Sequence, residues 1–307
     1  MSRLENISNL TDAAISHNDH LFAGGFLLLY GSFGLLFSAL VGSAMYKLRA
    51  EAVGFRFLLS MTLADVILLL QFGWWAGGVI LSQKRIVPKS WRWPAAVWMD
   101  FTWFAMCYHY VLVAWSRFVA VRYPMWFRAL SSNFCLLLCL SAWLTAFIQS
   151  FVLHLMPWSV EIYYEPKVFG IITDDFEKYF SQGTALFFDL FHFVIMSIAL
   201  SLYLFTLLKV IKHRPKVDSK RSATKKSKHS SASQSKLERK LIGPCVVNTV
   251  VFVLGQVLMK IGFGSGKWQS WSIIVIFVSN SFVNPVLLLL CASQIRSKVS
   301  KQICYKE

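Results

Sequence analysis

Few ionisable or amide side chains lie inside the apolar stretches of this sequence, and those that do could carry polar chemistry. Asp65 closes the run Ser60-Met61-Thr62-Leu63-Ala64-Asp65, while Asn280 and Asn284 fall one helical turn apart just before Pro285. Asp100 and His109 share a second apolar stretch. Asp189 and His192, three residues apart, share a third and one helical face. An ionisable group at the centre of a membrane helix costs about 2.5–3.5 kcal/mol, so each of these needs a partner or a task. A carboxylate near two amides suits hydrogen bonding between helices, or the lining of an ion path. Asp189-x-x-His192 offers only two ligands, so no metal is expected. There is no Gly-x-Ser-x-Gly, no glycine loop for phosphate and no His-Glu-x-x-His, so neither an enzyme activity nor a cofactor is read from the chain. The stretch Trp268–Ala292 carries no Lys and has no place for a retinal Schiff base.

The elements that hold these groups are set by the apolar pattern. Hydrophobic residues make up 56% of the 307, Phe and Trp prominent among them, and the mean hydropathy is +0.54. A soluble domain of this length needs a more polar surface, which makes lipid the expected solvent. A hydrocarbon core roughly 30 Å thick takes about 20 helical residues to cross. Seven stretches reach or approach that length: Leu21–Tyr46, Phe57–Leu81, Pro94–Ser116, Phe134–Met156, Gly183–Leu208, Leu241–Met259 and Trp268–Ala292. The sixth is the shortest and runs into Gly262, Gly264 and Gly266. The first is too long, and too poor in preceding basic residues, for a cleaved signal peptide. The predicted fold is therefore an all-α membrane protein, a seven-transmembrane helix bundle.

A net charge of +16 would suit a nucleic-acid binder, but the basic residues sit between apolar runs, as the positive-inside rule requires, and no nucleic acid is expected as a partner. With the amino terminus outside, 22 Lys and Arg fall on the cytoplasmic side and nine on the other. The chain then divides into an extracellular segment, residues 1–20, a bundle, residues 21–292, that includes the basic cytoplasmic loop 209–240, and a cytoplasmic tail, residues 293–307. Glycosylation sequons at Asn6 and Asn9 lie in the extracellular segment. No cysteine falls in a predicted extracellular loop, so no extracellular disulfide is expected. The loop Trp158–Gln182 is acidic and aromatic and is long enough to lie over the bundle mouth. The Ser/Lys-rich run Lys209–Lys240 cannot bury a core and is expected to be disordered in its middle, drawn to anionic membrane lipids, with serines open to kinases.

Four features, in order along the chain, resemble the rhodopsin-like G-protein-coupled receptors. Leu63-Ala64-Asp65 resembles that family's Leu-Ala-Asp. Ser116-Arg117-Phe118, followed by Val121-Arg122-Tyr123-Pro124, resembles the Asp-Arg-Tyr motif and the proline after it. Asn284-Pro285-Val286-Leu287-Leu288 resembles Asn-Pro-x-x-Tyr. Trp143, 26 residues after Arg117, sits where the family has its fourth-segment tryptophan. Cys291–Ile303 then reads as a short basic amphipathic helix. The basic loops, aromatic richness and degenerate motifs are most similar to the nematode serpentine chemoreceptors. The chain departs from the pattern at Ser116, where the family has an acid, at Leu288, where it has tyrosine, and at Arg92, which stands about where the usual extracellular cysteine falls. The sixth segment lacks the tryptophan-proline pair and has Pro244 near its cytoplasmic end.

The resemblance implies a chemosensory receptor in a plasma membrane, such as that of a sensory cilium, passing the binding of a small-molecule ligand to a heterotrimeric G protein. It implies a switch built on Ser116, Arg117, Asn284 and Pro285, and a polar network of Asp65, Asn280 and Asn284. A ligand cavity would draw on Asp100, Trp103, Phe104, Asp189, His192, Gln256 and Trp271. With no acid at position 116, Arg117 is expected to be weakly restrained and basal signalling appreciable. The sequence also admits two other readings. One is a transporter or channel with Asp65, Asn280 and Asn284 along an ion path, against which count the odd helix number and the lack of an internal repeat. The other is a membrane scaffold whose basic loop binds lipids or partners.

Overall fold

A computed structural model describes residues 17–212, 241–262 and 266–304. The sequons at Asn6 and Asn9, the basic loop from residue 213 to 240 and the end of the tail lie outside these residues. Seven helices run back and forth: α1 His17–Leu48, α2 Gly54–Ser82, α3 Arg92–Arg122, α4 Ser132–Leu155, α5 Thr184–Lys212, α6 Ile242–Gly262 and α7 Lys267–Cys291. Six are long and apolar enough to cross a membrane, and within α6 the apolar part Ile242–Leu258 is shorter. The helices outrun the predicted apolar stretches at several ends because hydrogen bonding continues past the last apolar residue; α5, for example, runs on to Lys212. An eighth helix, α8 Ser293–Cys304, turns back along α1, where Ser43 Oγ donates to Gln302 Oε1 at 3.1 Å.

The outer faces carry apolar side chains that water would not tolerate. Leu136, Leu137, Leu140 and Leu144 of α4 and Leu186, Phe193, Leu204 and Phe205 of α5 are all more than half exposed. Such faces are at rest in hydrocarbon, where only backbone groups satisfied within the helix can span.

Inside, α1 and α2 meet through glycine. A β-carbon on Gly31 would lie 3.1 Å from the Gly73 Cα, and one on Gly77 would lie 2.9 Å from the Gly24 carbonyl oxygen, so the two backbones touch with no side chain between them. Over Leu69–Trp75 α2 relaxes into a π-helix, and the Ala76 N–H reaches back to the Gln71 carbonyl. In α7, Pro285 lies within the helix and removes one of its backbone donors.

The stretch between α4 and α5 is a hairpin. Strand β1, Ile162–Glu165, pairs antiparallel with β2, Gly170–Thr173, with Tyr164 opposite Ile171. Phe169 makes the turn with a positive φ of 54°. A short helix, Phe176–Ser181, follows, capped by the Asp175 carboxylate on the Lys178 N–H. The hairpin lies across the end of the bundle where α1 begins. Arg117 lies towards the other end.

Candidate functional site

The hairpin is fastened by charge. Arg92, at the start of α3, is buried and donates from Nη1 to Asp174 Oδ2 at 2.6 Å. Tyr163 donates its hydroxyl to the same carboxylate, and its ring lies under the Arg92 guanidinium, 4.1 Å from ring centre. Arg85, after α2, holds Glu165 at 2.5 Å. The position expected from the family resemblance to be a bridging cysteine is thus filled by an arginine that ties the same loop through an ion pair and a cation–π contact. The Tyr163 hydrogen bond and then the Arg92 charge hold the Asp174 carboxyl below the usual carboxylate range. A depressed value means that the fastening is complete above the ordinary value of about 3.9 and is lost as pH falls through the depressed one. Amide exchange in β2, corrected for intrinsic rate, is therefore expected to stay flat from pH 8 to 5 and to rise only below about pH 4. Asp174→Asn should remove that step; its persistence in the variant would show that another group fastens the hairpin.

Beneath the hairpin a column of rings descends through the bundle. Tyr164, buried, lies 5.3 Å from Trp75 and 6.5 Å from Phe72. Phe72 stacks on Phe277 at 4.6 Å, and Trp103 stands edge-on to Phe277 at 4.7 Å. Trp103 then meets Phe252 at 6.1 Å, and Phe252 stacks on Tyr110 at 4.4 Å. Tyr110 lies seven residues, two helical turns, before Arg117. The column therefore runs from the hairpin, through contacts between α2, α3, α6 and α7, to within two turns of the motif arginine on α3.

The residues expected to line a cavity divide into two groups. Trp103 is central and donates its indole N–H to His192 Nε2 at 2.7 Å. Gln256 is buried one turn from Phe252, and its Nε2 has no partner among the described residues. Phe104 packs against Phe188 and Phe191 of α5. The others face elsewhere. Asp100 turns towards α4, where its Oδ2 pairs with His154 Nε2 at 2.9 Å, and Ser159 lies 3.3 Å from the other ring nitrogen. Asp189 is exposed on α5. Trp271 packs against Trp268 and donates to the Ala23 carbonyl of α1 at 3.1 Å. His109 bonds Ser60 at 2.8 Å, and Trp143 donates to the same hydroxyl at 3.2 Å, which ties α2, α3 and α4 together.

Deeper in the bundle, Asn284 Nδ2 donates to Asp65 Oδ2 at 2.6 Å, so α2 and α7 are joined by the polar pair that their sequence contexts single out. Asn280, one turn away, inserts its amide where Gly255 leaves room: a β-carbon on that glycine would lie 3.0 Å from Asn280 Nδ2. Both atoms of the Asn280 amide, Asp65 Oδ1, Ser281 Oγ and Ser38 Oγ are buried without a protein partner among the described residues. Buried polar atoms of this kind seek hydrogen bonds, which makes this the most polar part of the interior.

Arg117 is fully buried. Its Nη2 donates to the Gly54 carbonyl at the start of α2, 3.0 Å away, and Tyr203 of α5 lies within its field. Ser116 is also buried and donates to the Val113 carbonyl at 2.7 Å, inside its own helix. Ser116, which stands where the family has an acid, does not bond the arginine here, and the Gly54 carbonyl accepts from it instead. Tyr203 was not singled out from sequence, because one tyrosine in an apolar helix carries no local signal. His154 is an ionisable residue near the end of an apolar run, but its partner Asp100 lies 54 residues away and no spacing pairs them.

The family model described as "Serpentine type 7TM GPCR chemoreceptor Srx" matches residues 28–286. Among solved structures, squid rhodopsin aligns with 95% of this chain and 87% of its own, at a TM-score of 0.75 and 15% sequence identity, a likeness of fold. No curated protein matches the sequence.

Proposed function

Since the chain belongs to the serpentine seven-transmembrane chemoreceptor family Srx, and is therefore a G-protein-coupled receptor, we propose that it signals the binding of a small molecule at the hairpin end of the bundle to a heterotrimeric G protein at the Arg117 end. The observation that carries this reading is the burial of Arg117 on the Gly54 carbonyl, at the far end of the ring column from the hairpin. In this reading the amino terminus and hairpin are extracellular, in accord with the count of basic residues, and the protein works in the plasma membrane.

Coupling requires two states. In the closed one Arg117 is held on α2 and α6 rests on α7, with lighter contact to α5 and α3. In the open one the cytoplasmic end of α6 moves away, and Arg117 turns to receive the C-terminal helix of the G-protein α subunit. A ligand shifts the balance only by its difference in affinity for the two states.

The neutral restraint on Arg117 has a measurable consequence. An acid at position 116 would add a bond in which both partners are charged, and a hydrogen bond involving a charged group contributes about 1.5–3 kcal/mol. Ser116→Asp is therefore expected to lower basal G-protein activation several-fold at equal surface expression. Unchanged basal activity would refute weak restraint as the reason for it. The coupling reading itself is tested by Arg117→Ala.

A further inference from the structure

The Tyr164 side chain occupies the place a ligand would need. It leaves β1, enters the bundle between Phe72 and Trp75, and donates its hydroxyl to the Gln71 carbonyl at 3.2 Å. That carbonyl lies in the π-helical stretch of α2, where it accepts from the Ala76 N–H, five residues on, and its second lone pair takes the phenol. The void left beside the phenol, between Trp75, Val79, Met99 and Tyr163, measures about 10 Å³, room for one water at most. The charge nearest this void is Arg85, already paired with Glu165. The slot thus offers aromatic walls, one backbone acceptor and no uncommitted charge. Burial also holds the Tyr164 phenol well above its ordinary pKa, so its occupant is a neutral donor.

We propose that this slot is the receptor's ligand site, that Tyr164 is its built-in occupant, and that the ligand is an uncharged aromatic molecule with one O–H or N–H donor, such as a phenol or indole. The ligand displaces the Tyr164 ring and takes over the bond to the Gln71 carbonyl. Displacement lifts β1 against the Arg85 and Arg92 fastenings and changes what Phe72, the next ring of the column, packs against. This rests on the receptor reading above and names its ligand class. It accounts for three features together: a π-helix beside the hairpin, a tyrosine buried from a loop, and a hairpin fastened by ion pairs that can open.

The test is binding to the full chain in phosphatidylcholine nanodiscs, measured by calorimetry with empty nanodiscs subtracted and with no G protein present. p-Cresol reproduces the tyrosine side chain; toluene keeps its shape and lacks the donor. Tyr164→Ala should bind p-cresol saturably and at least about tenfold more tightly than wild type, in which the ligand must compete with the tethered ring. Toluene should bind the variant about three- to tenfold more weakly than p-cresol, the worth of one hydrogen bond. Tyr164→Val, which suits a strand and also empties the slot, should behave alike and serves if the Ala variant does not fold. Equal binding of p-cresol by wild type and variants, or equal binding of p-cresol and toluene, would overturn the proposal while leaving coupling through Arg117 to its own experiment. The expected binding in a protein that fails to activate G protein would uphold the slot and refute the receptor reading.

Discussion

Arg117→Ala is expected to abolish G-protein activation while leaving ligand binding and surface expression intact. The guanidinium is the charged group that the motif places at this end of the bundle interior, where it is fully buried and donates to α2. In the open state its donors would turn to carbonyl groups of the α-subunit helix. Hydrogen bonds to a charged group contribute about 1.5–3 kcal/mol, so losing even one reduces coupling about tenfold or more. Arg117→Lys separates charge from geometry. Lysine keeps the charge but not the planar fork, and partial coupling is expected from it. A dose–response curve in cells carrying a promiscuous G-protein reporter measures both variants. Coupling by Arg117→Ala at the wild-type level would show that the arginine has no part in the switch, and the proposed mechanism would fall with it.

The seven spans were legible because crossing a bilayer is a one-dimensional demand, about 20 apolar residues in a row, which a sequence displays directly. Asp65 and Asn284 were legible as an exception to that demand, since a polar residue in lipid announces itself. Their bond across 219 residues was not announced by spacing; it follows from α2 and α7 being neighbours. The same dependence on neighbours hid the Asp100–His154 pair. Asp100 looked equally suited to a cavity, and only the packing of α3 on α4 decides which way it faces. The hairpin was beyond reach for a different reason. Its strands are four residues each, and its turn uses Phe169 at a positive φ instead of the Asn-Gly or Asp-Gly that would mark it. Nor does the sequence betray the π-helix, whose extra residue per turn leaves no mark in an apolar run.

Gly77→Ala should destabilise the bundle, and Gly78→Ala should not. A methyl group at Gly77 would sit 2.9 Å from the Gly24 carbonyl oxygen, and one at Gly24 would sit 2.8 Å from the Gly77 oxygen. A backbone oxygen, which cannot rotate aside as a side chain can, stands in the way at both positions, so the helices must separate. At Gly24 the Leu81 side chain is closer still, at 2.6 Å. Forcing extra atoms into a packed contact costs about 1–3 kcal/mol, and Gly77→Leu, with more to place, is expected to abolish surface expression. Gly78 and Gly25 have nothing within 4 Å of the added carbon. There alanine should be neutral or mildly stabilising, because it is the better helix former by about 1 kcal/mol. Thermal unfolding in detergent compares the four single variants. Equal losses at Gly77 and Gly78 would mean that helix propensity, not the α1–α2 contact, sets the cost. Gly24→Ala and Gly77→Ala together should cost less than the sum of the two, because either alone already parts the same pair of backbones. The damage should also reach the hairpin. The His20 Nδ1 contact to the Ile80 carbonyl, 3.0 Å, joins α1 to α2 at that end, and Phe169 packs 5.0 Å from the His20 ring. Trp75 and Gln71, which hold the Tyr164 ring, belong to the same α2 that the glycines seat against α1. A methyl group where two helices touch is therefore expected to loosen the proposed ligand slot as well as the fold.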